Sequence, residues 1–162
     1  MRAYYDARAD DYDDWWLGAG HLPGAVVGTD QSERMLAVAR RRVPGSRFVR
    51  ADAFALPYSD AAFARVFSGH FYGHLDPLER ALFLAEARRL APELVVVESA
   101  LRPGVAAAAK QERILNDGTR WEVLTRYFTP EALLTELREG GYGAGETVFA
   151  GTWFVAVRVP PR

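Results

Sequence analysis

Apolar and polar positions change their rhythm several times along this chain, and each change marks an element. Residues 2 to 16 alternate acids with aromatics, and the spacing of Tyr5, Tyr12 and Trp16 gathers them on one face of a helix. From Ala25 the pattern becomes a short β-prone run, Ala25-Val26-Val27-Gly28-Thr29-Asp30, of the kind found in strands buried on both faces. Asp30-Gln31-Ser32-Glu33 opens a helix through Met35, Leu36 and Ala39 that stops near Pro44-Gly45. Arg47-Phe48-Val49-Arg50 and Phe63 to Ser68 read as further strands, the first followed by Ala51-Asp52-Ala53. Asp76-Pro77-Leu78-Glu79 has the residues of a strong helix start, and that helix should run to about Leu90. Leu94 to Glu98 is again a buried strand ending in an acid.

The remainder reads as a helix over Val105 to Leu115 closed by Asn116-Asp117-Gly118, and a second helix from Thr129-Pro130-Glu131 to Gly140-Gly141. It ends with an antiparallel hairpin, Thr147-Val148-Phe149 and Trp153 to Val157 around Ala150-Gly151. Four strands interleaved with helices require crossover connections, so the expected fold class is α/β: a Rossmann-like, mostly parallel sheet with helices on both faces and a C-terminal antiparallel hairpin.

Composition narrows the chemistry. At 162 residues the chain has the size of one compact domain. With 20 basic and 21 acidic residues it has a formal charge of -1, which offers no field for nucleic acid or an anionic membrane. No cysteine occurs, so disulfides and thiolate metal sites are excluded. No apolar run resembles a signal peptide or reaches the roughly 20 residues that span a bilayer, and the expected location is cytoplasmic.

Three segments carry a family likeness: Val26-Val27-Gly28-Thr29-Asp30-Gln31-Ser32 with Met35-Leu36, Phe48-Val49-Arg50-Ala51-Asp52-Ala53, and Phe63 to Ser68. In that order and spacing they resemble class I S-adenosylmethionine-dependent methyltransferases of the small-molecule type. The opening Tyr4-Tyr5-Asp6-Ala7-Arg8-Ala9 with Tyr12-Asp13 is similar to the helix that precedes the sheet in many of these enzymes. The resemblance implies one methyltransferase-like domain over residues 1 to 162, with an N-terminal helix at 1 to 17 and a substrate-covering region at 104 to 128 that includes Trp121. It also implies S-adenosylmethionine as cofactor, a small-molecule acceptor, and cofactor contacts from Tyr12, Asp30, Gln31, Met35, Asp52, Ala53 and Ser68.

Each of these residues has a plainer reading. Asp30 stands at the carboxyl end of a strand, where open α/β sheets bind ligands, and its two oxygens suit ribose hydroxyls; it could instead cap the next helix, a task Ser32 can also do. Met35 borders an adenosine or packs the helix core. Asp52 accepts from an adenine amino group, with the Ala53 N-H facing a ring nitrogen, or forms an Asx turn. Ser68 ends its strand either at a ligand or as an ordinary terminal hydroxyl.

No catalytic residue is fixed by the pattern. His70, Tyr72 and His74 are the candidates for a base. The four-residue spacing of the histidines does not make a metal site, because Gly73 and the strand exit oppose a helix there and no Glu intervenes. No resident metal is expected, since a sulfonium is already an activated methyl donor.

One family feature is missing. The cofactor's methionine end should lie on a Gly-rich turn after a first strand, yet Gly18-Ala19-Gly20 is separated from Val26 by only five residues. A parallel crossover needs about a dozen or more, so the first βα unit, which supplies the family's central strand, is expected to be absent around Gly18 to His21. Smaller departures are Ala64, where an acid is usual, and the compact turn Leu90-Ala91-Pro92-Glu93. Two other functions therefore stand beside methyl transfer: a non-catalytic remnant of the scaffold, and a nicotinamide-dependent oxidoreductase using Asp30, for which no G-x-G-x-x-G is present. The oligomeric state is not fixed by the sequence.

Overall fold

The computed structural model describes residues 2–9 and 26–162. The predicted contact at Tyr12, the aromatic residues Trp15 and Trp16, and the segment around Gly18 to His21 lie outside the described residues. The described residues form two compact units, one of residues 2–9, 26–57 and 112–122, the other of residues 58–111 and 123–162.

In the first unit α1 (Arg2–Arg8) packs on α2 (Glu33–Arg42), and β1 (Val27–Asp30) pairs in parallel with β2 (Arg47–Arg50). Ser32 starts α2, its side chain accepting the Met35 N-H, while the acid of the first turn and three arginines of the last turn suit the helix dipole. Leu36 and Val38 supply the buried positions of α2. β1 is half-buried, whereas a strand enclosed on both faces was expected; among the described residues it has one ladder neighbour, β2.

The second unit is built on a four-stranded sheet in the order β3 (Arg65–Gly69), β4 (Glu93–Ser99), β8 (Phe154–Val159), β7 (Glu146–Ala150). β3 and β4 run parallel; β8 is antiparallel to both β4 and β7, which is the anticipated C-terminal hairpin. Leu94 and Val96 of β4 and Val157 and Val159 of β8 are fully buried, and they face the ladder partners that put the core at the middle of this sheet. α3 (Pro77–Leu90) covers β3 and β4, and α4 (Pro130–Glu139) packs on β7 and β8. Both helices begin as their sequences dictate. Asp76 and Glu79 form a reciprocal capping box with Pro77 in the first turn, and the Thr129 side chain accepts the Ala132 N-H ahead of Pro130.

The expected helix over Val105 to Leu115 is instead a strand. β5 (Ala108–Ile114) pairs with β6 (Arg120–Arg126) as a hairpin closed at Leu115–Thr119, where Gly118 takes a φ of +82°. Alanine, glutamine and glutamate favour a helix only weakly, and pairing with a β-branched, aromatic partner strand overrides that preference. The exposure of β5 alternates over its first four residues, with Ala109 and Gln111 less exposed than their neighbours, as a strand requires.

The α/β class with a parallel sheet and a terminal antiparallel hairpin is thus present. Among the described residues, however, the strands fall into separate sheets: β1 with β2, β3 with β4, β8 and β7, and β5 with β6.

Candidate functional site

The two parallel strands of the first unit end at the same rim. Asp30 is in register with Arg50, the Ala51 N-H continues the ladder by donating to the Asp30 carbonyl, and Asp52 follows two residues after β2. Both carboxylates therefore lie at the carboxyl ends of adjacent parallel strands, where ligands of open α/β sheets bind.

Asp30 is partly buried, and burial pushes its carboxyl upward despite the Ser32 and Gln31 N-H groups that favour the anion; the nearby Asp6 carboxylate adds to the rise. One oxygen, Oδ1, accepts the Ser32 N-H at 2.7 Å. The helix cap itself is Ser32, so Asp30 is not consumed as the cap. Asp52 is exposed and closes an Asx turn, its Oδ1 accepting the Phe54 N-H at 3.0 Å, a geometry that leaves the second oxygen available to a ligand. Gln31 is exposed beside Asp30, and Met35 and Ala53 are half-buried.

In the second unit, Ser68 is buried near the carboxyl end of β3, and its Oγ has no hydrogen-bond partner among the described residues. His70 follows with a left-handed backbone, φ +51°, unusual for a residue with a side chain, and its ring meets Phe154 edge-on at 5.0 Å. A 3₁₀ turn over Tyr72–His74 comes next. His74 Nδ1 lies 2.6 Å from the Leu124 carbonyl. Because a carbonyl only accepts, Nδ1 carries the proton, which makes Nε2 the basic nitrogen of the neutral ring.

Tyr72 has a different environment. It is fully buried, its hydroxyl donates to Glu136 at 2.9 Å, and burial together with the Glu136 charge opposes its ionisation. Of the three candidate bases it fits that role least. Burial raises Glu136, but the paired hydrogen bonds from Arg126 at 2.9 Å and the Tyr72 hydroxyl hold its carboxyl below the usual range. Arg80 completes this cluster at 2.7 Å from Glu136. It borders a groove of about 660 Å³ between α3 and α4, lined by Pro77, Leu84, Thr135 and Glu139 among others, none of them in the predicted cofactor set.

Sequence reasoning passed over Glu98 as a site residue, although the acid closing an apolar strand was its signal. Glu98 is 2% exposed, and burial pushes its carboxyl up to about 7 even though the N-H groups of Gly73, Phe71, Ser99 and Tyr72 favour the anion. Among the described residues no three His, Asp or Glu side chains gather as metal ligands. No helix among them is long and apolar enough to cross a membrane.

Comparison with known proteins bears on this arrangement. Residues 16–93 match the model of a family described as a methyltransferase domain. Over 84 aligned residues the chain is 44% identical to a demethylmenaquinone methyltransferase of Thermus thermophilus, a match covering 47% of this chain and 37% of that one. The chain thus spans little more than a third of that curated relative's length. Its structure is similar to that of DhpI solved as a complex with SAM and HEP, with a TM-score of 0.79, 19% identity, and coverage of 98% of this chain and 95% of that one. It is also similar to an S-adenosylmethionine-dependent methyltransferase of Thermotoga maritima described as a possible histamine N-methyltransferase, with a TM-score of 0.69, 18% identity and 100% coverage of both chains.

Proposed function

We propose that this chain, a class I methyltransferase in fold and, over residues 16–93, in sequence, moves a methyl group from S-adenosylmethionine to a nucleophile on a small molecule, with residues 1 to 162 acting as a single domain. The observation that carries the proposal is the shared rim of Asp30 and Asp52, fixed by the parallel register of β1 and β2. In this reading the second oxygen of Asp30 accepts from the ribose, with Gln31 and Met35 beside it, and Asp52 and the Ala53 N-H meet the adenine. The family resemblance also assigns Ser68 and Tyr12 to the cofactor, the latter outside the described residues. The sulfonium supplies an activated methyl, so the protein's work is to align the acceptor and exclude water. Where the acceptor must lose a proton, His74 through Nε2 or His70 receives it. A small-molecule acceptor is favoured by the relatives, whose names specify demethylmenaquinone and, as a possibility, histamine.

The test is calorimetry with S-adenosylhomocysteine. The wild-type chain should bind it, and Asp30→Asn, which keeps the Oδ1 acceptor for Ser32 but removes the charge, should bind it on the order of 10-fold or more weakly, as loss of a charged hydrogen bond implies. A folded wild-type sample that gives no heat would sink the proposal. That outcome favours the second reading, a scaffold without methyl-transfer activity. Its specific support is the short spacing between Gly18-Ala19-Gly20 and Val26, too brief for a parallel crossover.

A further inference from the structure

Glu98 stands out among the buried groups that methyl transfer does not use. Hydrophobic packing does not call for a carboxylate at the end of β4, and removing one from water is costly unless donors converge on it. Here they do. The Gly73 N-H donates to Glu98 Oε1 at 3.0 Å, and the backbone N-H groups of Phe71 and Tyr72 from the same turn also favour the anion. The turn is pressed close on both sides: a Cβ at position 73 would stand 2.8 Å from Glu98 Oε2 and 3.2 Å from the Arg126 carbonyl, so a side chain there would push on the Glu98 carboxylate and on β6. His70 lies at the entry of this turn with its left-handed backbone, and His74 lies at its exit, tied to Leu124.

We propose that Glu98 is a positioning residue, whose buried carboxylate locks the Phe71–Gly73 turn and so fixes where His70 and His74 stand beyond the end of β3. That these histidines receive a proton from an acceptor rests on the methyl-transfer reading; the lock itself does not. An ionised acceptor makes the stronger hydrogen bond, so the lock tightens as Glu98 loses its proton. With burial pushing the group up to about 7, tightening falls near neutrality. Other charged or titratable groups face it from the surrounding elements. On the turn, Tyr72 gives its hydroxyl to Glu136, and His70 and His74 flank it; on β6, Arg126 feels the Glu98 charge but directs its guanidinium to Glu136; on β8, the ladder partner is Val155.

The experiment is a pH titration by nuclear magnetic resonance of the full chain, from about pH 5.5 to about pH 8.5, following the Gly73 amide and the His70 and His74 rings in wild type, Glu98→Gln and Gly73→Ala. In wild type the Gly73 amide proton should move downfield with a midpoint near 7, and the ring signals should show an inflection at the same pH besides their own. Glu98→Gln should keep a hydrogen-bonded but pH-independent Gly73 amide and lose the shared inflection. Gly73→Ala should displace the histidine signals while the β4 and β8 amides hold their positions. A flat Gly73 amide in wild type, which needs no variant to fold, overturns the proposal, as does an unchanged inflection in Glu98→Gln. None of these signals depends on cofactor binding, so silence toward S-adenosylhomocysteine removes the methyl-transfer reading and leaves this one standing.

Discussion

Burial separates the strand-end carboxylates. Asp52 is exposed, Asp30 is partly buried and raised, and Glu98 is almost wholly enclosed and raised to about 7. The last has a consequence for stability. A carboxyl whose folded pKa lies above its unfolded value holds a proton in the native state that the unfolded chain has already released, so stability falls as pH rises between the two values. For Glu98 that window runs from the ordinary 4.5 to about 7, and the loss amounts to at most about 3 kcal/mol by the top of it. Glu98→Gln should therefore be more stable than wild type at pH 8 and nearly equal to it below pH 4.5, measured as urea midpoints at the two extremes. The start of α2 at Ser32 was legible in the sequence because a helix cap is decided within four residues. The partners of Glu98 were not, because Gly73 lies 25 positions away and nothing local announces that its N-H needs an acceptor.

Helix starts were readable for the same reason. Asp76, Pro77 and Glu79 predict α3, and the structure places both halves of the capping box there, with Glu79 N-H to Asp76 at 2.9 Å and Asp76 N-H to Glu79 at 2.8 Å. Asp76→Ala should cost about 1 to 2 kcal/mol, seen as a lower urea midpoint at unchanged slope; a shift within error would mean the box adds nothing to the folded state. The segment from 105 to 115 failed where local reasoning had to fail. Its residues favour a helix by small increments, and what makes it a strand is pairing with β6 across the Leu115–Thr119 turn. The turn itself, Asn116-Asp117-Gly118, was seen but taken for the end of a helix, since a left-handed glycine serves both purposes.

For the molecule as a whole, the parallel direction of β3 and β4 followed from the alternation of helices and strands, and the antiparallel end from the short turn before Trp153; the order of the strands did not. Among the described residues β1 and β2 form one sheet and β3, β4, β8 and β7 another, where a single four-stranded parallel run was expected.

The bulge between Thr147 and Phe149 governs how the protein behaves when crowded with its own copies. β7 is the last strand of its sheet and every residue in it is exposed, Val148 and Phe149 included, which is the makeup of a template for fibrous stacking. The extra residue spoils that template by bending the border out of line. Deleting Val148 should straighten it, and light scattering at rising concentration should then show growth in particle size that the intact chain resists.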